Sequence, residues 1–144
     1  MEVPKMPKRK IKPKLGDVVQ IPLPDGTYAY GRVFKDTGLA IYKETSKSPN
    51  IPPKTEEYRF VVGFNGGAVE TGEWPVVDHR PFADEDSAWP PPKFIKDSIN
   101  GTYETYHKGQ MHAATEEQCK GLEEASVWNA NHIVDRIMGS NKWN

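Results

Sequence analysis

Residues 16–33 restrict the fold of this chain more than any other segment. Apolar side chains alternate with other residues from 18 to 23, which is the period of a strand with one buried face. Pro-Asp-Gly follows at 24–26 and is typical of a tight turn, because proline presets φ and glycine tolerates positive φ. A second alternating stretch covers residues 28–34. Together these segments predict an antiparallel β-hairpin.

The second strand of this hairpin has two unequal faces. Tyr28, Tyr30 and Arg32 share one side because side chains alternate along a strand. Gly31 interrupts the other side, which indicates a bulge or a close approach of another backbone. Pro22 cannot donate to a ladder, so it places the first strand at an edge or near a corner of the sheet. We expect the tyrosine face to be buried under a terminal helix, with the hairpin serving as scaffold.

Shorter patterns continue the sheet along the chain. Apolar stretches bounded by Pro, Gly and Asn predict further strands. These strands cover residues 39–42, 58–64, 74–77, 94–95, 102–106 and 110–113. The expected fold is α+β, with mostly antiparallel strands in a strongly bent sheet or a small SH3-like barrel and a C-terminal α-helix packed on it.

The sequence changes to a helical period near its end. Thr115 and Gln118 have the spacing of a capping box, in which each side chain bonds the other residue's backbone N–H. The residues that then recur at helical spacing are Cys119, Leu122, Ser126, Ala130, Ile133 and Ile137. These features predict one helix over residues 116–138, ended by Gly139.

The charge of this chain is divided unevenly. Residues 1–14 carry six basic side chains and one acidic side chain, a net of +5. The remaining 130 residues carry 13 basic and 19 acidic side chains, a net of −6. The lysine- and proline-rich segment 1–14 cannot bury enough apolar surface to fold, so we expect a flexible basic arm there. Residues 15–144 are expected to form a single domain.

No segment indicates export or membrane insertion. The one cysteine, Cys119, cannot form an internal disulfide and fits a reducing compartment. No apolar run approaches the length of a membrane helix. No apolar region follows the basic N-terminus, as it would in a secretory signal. We therefore expect a cytoplasmic protein with no membrane partner.

The sequence contains no recognisable catalytic, cofactor-binding or metal-binding motif. The four histidines lack the spacing of a metal site, and Cys119 lies on the apolar stripe, so we interpret it as a core residue. We expect no catalytic residue, no cofactor and no metal. A hydrolase that uses Asp78, His79 and the acidic segment after them is one alternative. We favour a structural interpretation, in which His79 and Arg80 brace a loop through its backbone carbonyls.

Two groups of residues are candidates for binding a partner. The first lies in a proline-bounded loop and contains Asp84, Glu85, Asp86 and Trp89. The second lies on the predicted helix, away from its apolar stripe, and contains Glu117, Glu124, Trp128 and Asp135. Each group places carboxylates around an aromatic side chain, which suits an anchor for a basic protein. The alternative for Trp128 is packing beneath a loop.

Short motifs spread over most of the chain resemble those of the immunity protein 26 family of bacterial polymorphic toxin systems. Their order and spacing carry the resemblance. They are, in chain order, GD at 16–17, IPL at 21–23, DG at 25–26, GRV at 31–33, WP at 74–75, HR at 79–80, PPKF at 91–94, ATEE at 114–117, GLE at 121–123, VW at 127–128 and DR at 135–136. The basic arm lies outside it.

The resemblance implies a mostly β protein, encoded beside a secreted toxin, that neutralises this toxin during interbacterial competition. It implies no catalytic residues. We expect an inhibitor that is not an enzyme and that occludes the active site of a cognate toxin domain with its acidic and aromatic groups. A monomer or weak dimer is expected. The alternative is a small β-barrel module that binds nucleic acid through the Lys-rich arm, which the acidic remainder of the chain disfavours.

Overall fold

The structure is a computed structural model that describes residues 12–139 of the chain. The strands are β1 (Asp17–Pro22), β2 (Tyr28–Val33), β3 (Gly38–Tyr42), β4 (Tyr58–Phe64), β5 (Val76–His79), β6 (Lys93–Lys96), β7 (Tyr103–His107), β8 (Gln110–Ala114), β9 (Glu123–Glu124) and β10 (Val127–Trp128). The helices are α1 (Gly67–Glu70), α2 (Glu116–Cys119) and α3 (Ala130–Ile137). The expected α+β fold, with mostly antiparallel strands, is confirmed.

The first sheet has six strands in the order β10-β4-β3-β2-β1-β5. Strands β1 to β4 form an antiparallel meander, and β10 joins β4 in parallel. The outermost strands, β10 and β5, do not pair with each other, so the sheet is open. Of the two forms expected from sequence, the small closed barrel is therefore wrong for the part of the chain that is described.

The second sheet has four strands in the order β8-β7-β6-β9. Strands β6, β7 and β8 form another antiparallel meander. Gly101 has a φ of 70° in the connection between β6 and β7, where the Asn-Gly pair predicts a turn. The short strand β9 extends the sheet by pairing in parallel with β6.

One face of the first sheet carries the main core. The side chains of Val19, Ile21 and Leu39 on this face are fully buried. Ile133 and Ile137 of α3 pack into the same cluster, so the expected packing of a C-terminal helix on the sheet is confirmed. Burial of each such aliphatic side chain contributes about 1.5–3 kcal/mol to stability.

The tyrosine face of β2 points to the opposite side of the sheet. Tyr30 is fully buried there, and its hydroxyl lies 2.8 Å from Ser46 Oγ and accepts a 3.1 Å hydrogen bond from the Ile51 N–H. The long connection 43–57 therefore covers this face. Burial of the face agrees with the expectation from sequence, whereas its placement under the terminal helix is wrong.

The predictions for the hairpin need two corrections. Strand β1 lies inside the sheet, between β2 and β5. Pro22 pairs with Tyr28 of β2 and lies beyond residues 17–19, which are the part of β1 that pairs with β5. The register of β1 and β2 runs without a bulge through Gly31. A Cβ atom on Gly31 would lie 2.9 Å from Leu39 Cδ1, so glycine makes room for a side chain and not for another backbone.

The single helix predicted over residues 116–138 is wrong. The capping box forms, because Thr115 Oγ1 accepts from the Gln118 N–H and Gln118 Oε1 accepts from the Thr115 N–H. The helix then ends after four residues, and Gly121 takes a φ of 80°. The chain next pairs with the open edges of β6 and β4, whose backbone groups would otherwise lack partners. The next helix, α3, begins only at Ala130.

Candidate partner-binding surface

The acidic loop, defined here as residues 84–89, is an ordered surface feature. Asp84 Oδ1 accepts a 2.8 Å hydrogen bond from the Ser87 N–H, and the Ser87 hydroxyl donates to the Asp84 carbonyl at 2.9 Å. These bonds stabilise a single 3-10 turn over Asp86–Ala88. The Lys35 N–H donates to the Ala88 carbonyl at 2.8 Å and ties the loop to the end of β2.

The carboxylates of the acidic loop point outward and are partly paired. Glu85 lies 2.7 Å from Lys35 Nζ, and Asp86 lies 2.9 Å from Lys108 Nζ. The hydrogen bond from Lys108 holds the pKa of Asp86 below its ordinary value. The side chains of Glu85 and Asp86 remain 77% and 84% exposed, and exposed pairs of this kind are weak. The carboxylates of the loop are therefore accessible from solvent.

Trp89 closes the acidic loop with a half-buried ring. The Lys35 ammonium lies 5.0 Å from the centre of this ring, at a distance typical of a cation–π contact. The loop therefore presents an aromatic side chain beside its carboxylates, as the sequence suggests.

Next to the acidic loop lies the strained turn, residues 35–38, which joins β2 to β3. Asp36 and Thr37 both have positive φ, 58° and 52°, as the central residues of this two-residue turn. Asp tolerates such angles, but a β-branched residue adopts them rarely. The Tyr106 hydroxyl donates a 2.7 Å hydrogen bond to Asp36 Oδ2, and this bond raises the pKa of Tyr106. The strained turn is thereby fixed to the second sheet.

The second group of predicted binding residues does not share one helix face. Glu117 lies on α2 and pairs with Lys120 at 2.9 Å, whereas Glu124 lies on β9, and both are exposed. Trp128 lies on β10, half-buried against the main core. Asp135 lies on α3 and is also half-buried. The four residues come from four elements, because the predicted long helix is interrupted.

Trp128 has a defined packing role. Its ring packs against the main core and lies 5.2 Å from the guanidinium of Arg136, which also covers Phe60 at 4.0 Å. Arg136 in turn makes two hydrogen bonds to the carboxylate of Glu123. This arrangement favours the structural alternative for Trp128 over an exposed aromatic anchor.

The side chains of His79 and Arg80 contact carboxylates, whereas the Arg80 backbone N–H donates to a carbonyl, that of Gly16 at 2.7 Å. His79 Nδ1 lies 2.8 Å from Asp17 Oδ1. Arg80 reaches Asp78 at 2.8 Å and Glu56 at 3.1 Å. The expected bracing through carbonyls by His79 and Arg80 is therefore wrong. These contacts join β5 to β1 and to the connection before β4.

Arg32 performs the bracing instead, and its position on the Tyr-Arg face is the only sign of this role in the sequence. Its side chain is buried and donates to the carbonyls of Arg80 and Pro81, both at 3.0 Å, and to the Tyr58 hydroxyl at 3.2 Å. The guanidinium also lies 3.8 Å from the centre of the Phe82 ring. One planar cation therefore holds the chain that leads into the acidic loop.

Glu56 is the carboxylate of this network, and it accepts from the Tyr58 hydroxyl and from Arg80. Burial raises its pKa, but hydrogen bonds from Tyr42 and Tyr58 and the cations of Arg32 and Arg80 outweigh burial, so the net pKa is lowered. Burial is also the main cause that raises the pKa of Tyr42 and of Tyr58, and the Glu56 carboxylate raises both further. The network favours an ionised glutamate and protonated tyrosines, which suits a structural role.

The described residues do not gather ligands for a metal ion. Between residues 12 and 139, no group of three or more His, Cys, Asp or Glu side chains is placed to hold one. Cys119 is buried on α2 with 5% exposure. Among the helices described, none is long and apolar enough to cross a membrane.

Similarity to known proteins is found at the level of a family. No curated protein and no solved structure matches this chain. The family model of Immunity protein 26 matches residues 14–105, which include β1 to β6, the strained turn and the acidic loop. The closing motifs after residue 105 lie outside that match, as does most of the arm predicted for residues 1–14. Of that arm, residues 1–11 also lie outside the described structure. Because the match covers more than half of the chain, this chain belongs to the immunity protein 26 family.

Proposed function

We propose that this protein binds a cognate secreted toxin and neutralises it by occluding the toxin's active site with the acidic loop. Membership of the family supports an immunity role. The single observation that carries the mechanism is the acidic loop itself, in which Asp84, Glu85 and Asp86 are exposed on an ordered turn beside Trp89. Occlusion requires complementary shape and charge and no catalytic group, so the inhibitor is not an enzyme in this proposal.

The acidic loop is held in place before any partner arrives. Ala88 is 2% exposed and anchors the loop at the carbonyl that accepts from Lys35. At the far end, a Cβ atom on Gly38 would come within 2.8 Å of Pro90 Cγ, so the loop packs closely on the strained turn. A surface that is already ordered loses little conformational entropy on binding.

The charge of the protein fits a basic toxin surface. The 130 residues after the arm carry a net charge of −6, and three of their carboxylates are adjacent in the acidic loop. Opposite potentials steer two proteins toward each other and raise the association rate. Glu117 and Glu124 are exposed and form a second proposed contact, with Asp135 and the ring of Trp128 at its margin.

The proposed function also implies where the protein acts and in what oligomeric state. A toxin made for competition between bacteria must be blocked in the producing cell, so we place the inhibitor in the cytoplasm of that cell. We propose that it acts as a monomer or weak dimer, with one toxin domain bound to each chain.

Co-expression with the toxin encoded by the adjacent gene tests this function. The loop triple variant Asp84→Asn/Glu85→Gln/Asp86→Asn keeps the side-chain sizes, and the amide oxygen then present at position 84 can still accept from the Ser87 N–H. Its control, Glu44→Gln/Glu57→Gln/Glu73→Gln, makes the same change in net charge at exposed positions outside the loop. We expect the wild type and the control to protect cells and the loop variant to fail. Failure of the wild type to protect against any neighbouring toxin would refute the function.

The nucleic-acid alternative predicts a different result. A Lys-rich arm that grips phosphates would give salt-sensitive binding to duplex DNA, and deletion of residues 1–14 would abolish it. We expect no such binding by the full chain at physiological salt. Retention of the protein on DNA under these conditions would favour the alternative.

A further inference from the structure

Lys93 is a buried cation at the junction of the two sheets. It is the first residue of β6, where it pairs with Tyr106 of β7 and Glu123 of β9. Only 6% of its surface is exposed. Lysine is almost never buried to this extent unless its ammonium has a partner. The position of that ammonium is therefore informative.

The ammonium of Lys93 has no acceptor among residues 12–139. It forms no hydrogen bond and no ion pair within 4 Å in this part of the chain. The ammonium lies next to Gly63 of β4. A Cβ atom on Gly63 would lie 3.7 Å from Lys93 Nζ and 2.9 Å from the Ser126 carbonyl oxygen. The absence of a side chain at Gly63 leaves the space in front of the ammonium open.

The two nearest carboxylates already have other partners. Asp36 accepts from the Tyr106 hydroxyl, and Glu123 is held by Arg136. Burial lowers the pKa of Lys93, and the fields of Asp36 and Glu123 only partly oppose this effect. No fully buried side-chain nitrogen lacks a partner among the described residues, so the unpaired ammonium keeps some contact with solvent. An acceptor from outside the chain can therefore reach it.

A cavity of about 250 Å³ lies in front of this ammonium. Its lining comes from the strained turn, from Gly63, Lys93 and Tyr106, and from residues 125–127. At its rim, Thr37, Ser126 and Val127 are exposed, so the cavity is accessible from solvent. The space suits a short side chain, since one water molecule occupies about 30 Å³ in the liquid.

We propose that this cavity is a binding site for a carboxylate, and that its occupant is an Asp or Glu side chain of the bound partner protein. The Lys93 ammonium supplies the charge and donates the hydrogen bonds. This inference rests on the proposed function, and it adds a contact of opposite sign to an otherwise acidic surface. Such a contact fixes the orientation of the partner and disfavours partners that lack the acid.

The lining favours a carboxylate over a phosphate. Asp36 lies on the same cavity as Lys93, so the cations and anions that line it nearly balance. A doubly charged phosphate would meet the Asp36 carboxylate at short range, whereas a singly charged carboxylate needs only one cation. Only one lysine, and no arginine, lines the cavity within the described residues.

Acetate tests the site on the protein alone. The side-chain methylene NMR signals of the lysines are followed as sodium acetate replaces sodium chloride at constant ionic strength, and inorganic phosphate is titrated in parallel. We expect a saturable shift of the Lys93 signal with acetate and none with phosphate. Lys96, on the same strand but exposed, provides the internal control. No saturation at Lys93, an equal response at Lys96, or equally strong phosphate binding would overturn the proposal.

Binding of this protein to the toxin tests whether the occupant of the cavity is a carboxylate of the partner. Lys93→Met removes the charge and keeps most of the side-chain length, and Lys96→Met is its control. We expect Lys93→Met to weaken toxin binding by about tenfold or more and Lys96→Met to leave it unchanged. Equal binding by both variants would overturn the proposed occupant. If the wild type binds no toxin while acetate still saturates Lys93, the proposed function fails and the carboxylate site stands. The titration of unaltered protein remains decisive even if Lys93→Met does not fold.

Discussion

The hydroxyl of Tyr106 donates a 2.7 Å hydrogen bond to the carboxylate of Asp36, and this contact joins the two sheets. Asp36 belongs to the strained turn of the first sheet, and Tyr106 belongs to β7 of the second. The acidic loop lies on one side of this contact, where Trp89 and Lys108 share a small cleft with it. The Lys93 cavity lies on the other. Both proposed binding features therefore border the same bridge.

Removal of the bridging hydroxyl is expected to weaken the protein modestly. Tyr106→Phe loses one hydrogen bond to a carboxylate, so we expect the free energy of unfolding to fall by about 0.5–1.5 kcal/mol. Urea unfolding at neutral pH measures this change. Tyr103→Phe is the control, because the Tyr103 hydroxyl makes no hydrogen bond within the described residues. A larger loss in the control than in Tyr106→Phe would contradict the role of the bridge.

Relief of the strained turn is expected to stabilise the protein. Thr37 has a φ of 52°, and its backbone carbonyl, which accepts from the Phe64 N–H, is kept in Thr37→Gly. Glycine removes the cost of positive φ but increases the entropy of the unfolded chain, so we expect a net gain of about 0.5–1 kcal/mol. Thermal or urea unfolding measures it. Thr45→Gly, at an exposed position with negative φ, should give no gain. A destabilised Thr37→Gly protein would argue against strain at this turn.

Replacement of the bracing guanidinium is expected to be costly even by lysine. Arg32→Lys keeps the charge but loses the planar fork that reaches the carbonyls of Arg80 and Pro81. We expect stability to fall by about 2–3 kcal/mol, because the buried cation loses several hydrogen bonds at once. Arg59→Lys is the control: Arg59 also donates to backbone carbonyls, but its side chain is exposed. Equal effects of the two variants in urea unfolding would show that burial of Arg32 is unimportant.

The lowered pKa of Glu56 predicts a loss of stability in acid. The folded-state pKa of Glu56 is lowered below its ordinary value of 4.5, so the unfolded state binds a proton first as the pH falls. The contribution of Glu56 is therefore fully present above about pH 4.5 and is lost progressively below it. Unfolding free energies measured from pH 7 downward should decline less steeply in Glu56→Gln than in the wild type. Identical acid profiles would show that Glu56 does not contribute to the loss of stability in acid.

The hairpin of β1 and β2 could be predicted because local signals agree there. Alternation at Val19 and Ile21 sets the buried face, and the Pro-Asp-Gly turn sets the connection. The terminal helix could be predicted only in part. The capping box at Thr115 and the burial of Ile133 and Ile137 are confirmed, but Gly121 ends the first helix early. Open strand edges on β4 and β6 recruit the segment between the two helices, and no local pattern reports such an edge.

The candidate surface could be predicted in its composition but not in its contacts. The acidic loop is recognisable from three adjacent carboxylates, whereas its pairing with Lys35 and Lys108 joins residues far apart in sequence. Lys93 has no distinguishing signal in the sequence. It looks like an ordinary lysine after three prolines, and only the packing of one sheet against the other buries it.

Calorimetric titration of the purified protein with the toxin domain of the adjacent gene tests the central claim most directly. We expect one toxin bound per chain, loss of toxin activity at equivalence, and an affinity that falls with added salt. The triple variant at Asp84, Glu85 and Asp86 should bind about tenfold or more weakly. The control triple variant at Glu44, Glu57 and Glu73 should match the wild type. Equal affinities of the two triple variants would contradict the claim that the acidic loop covers the toxin.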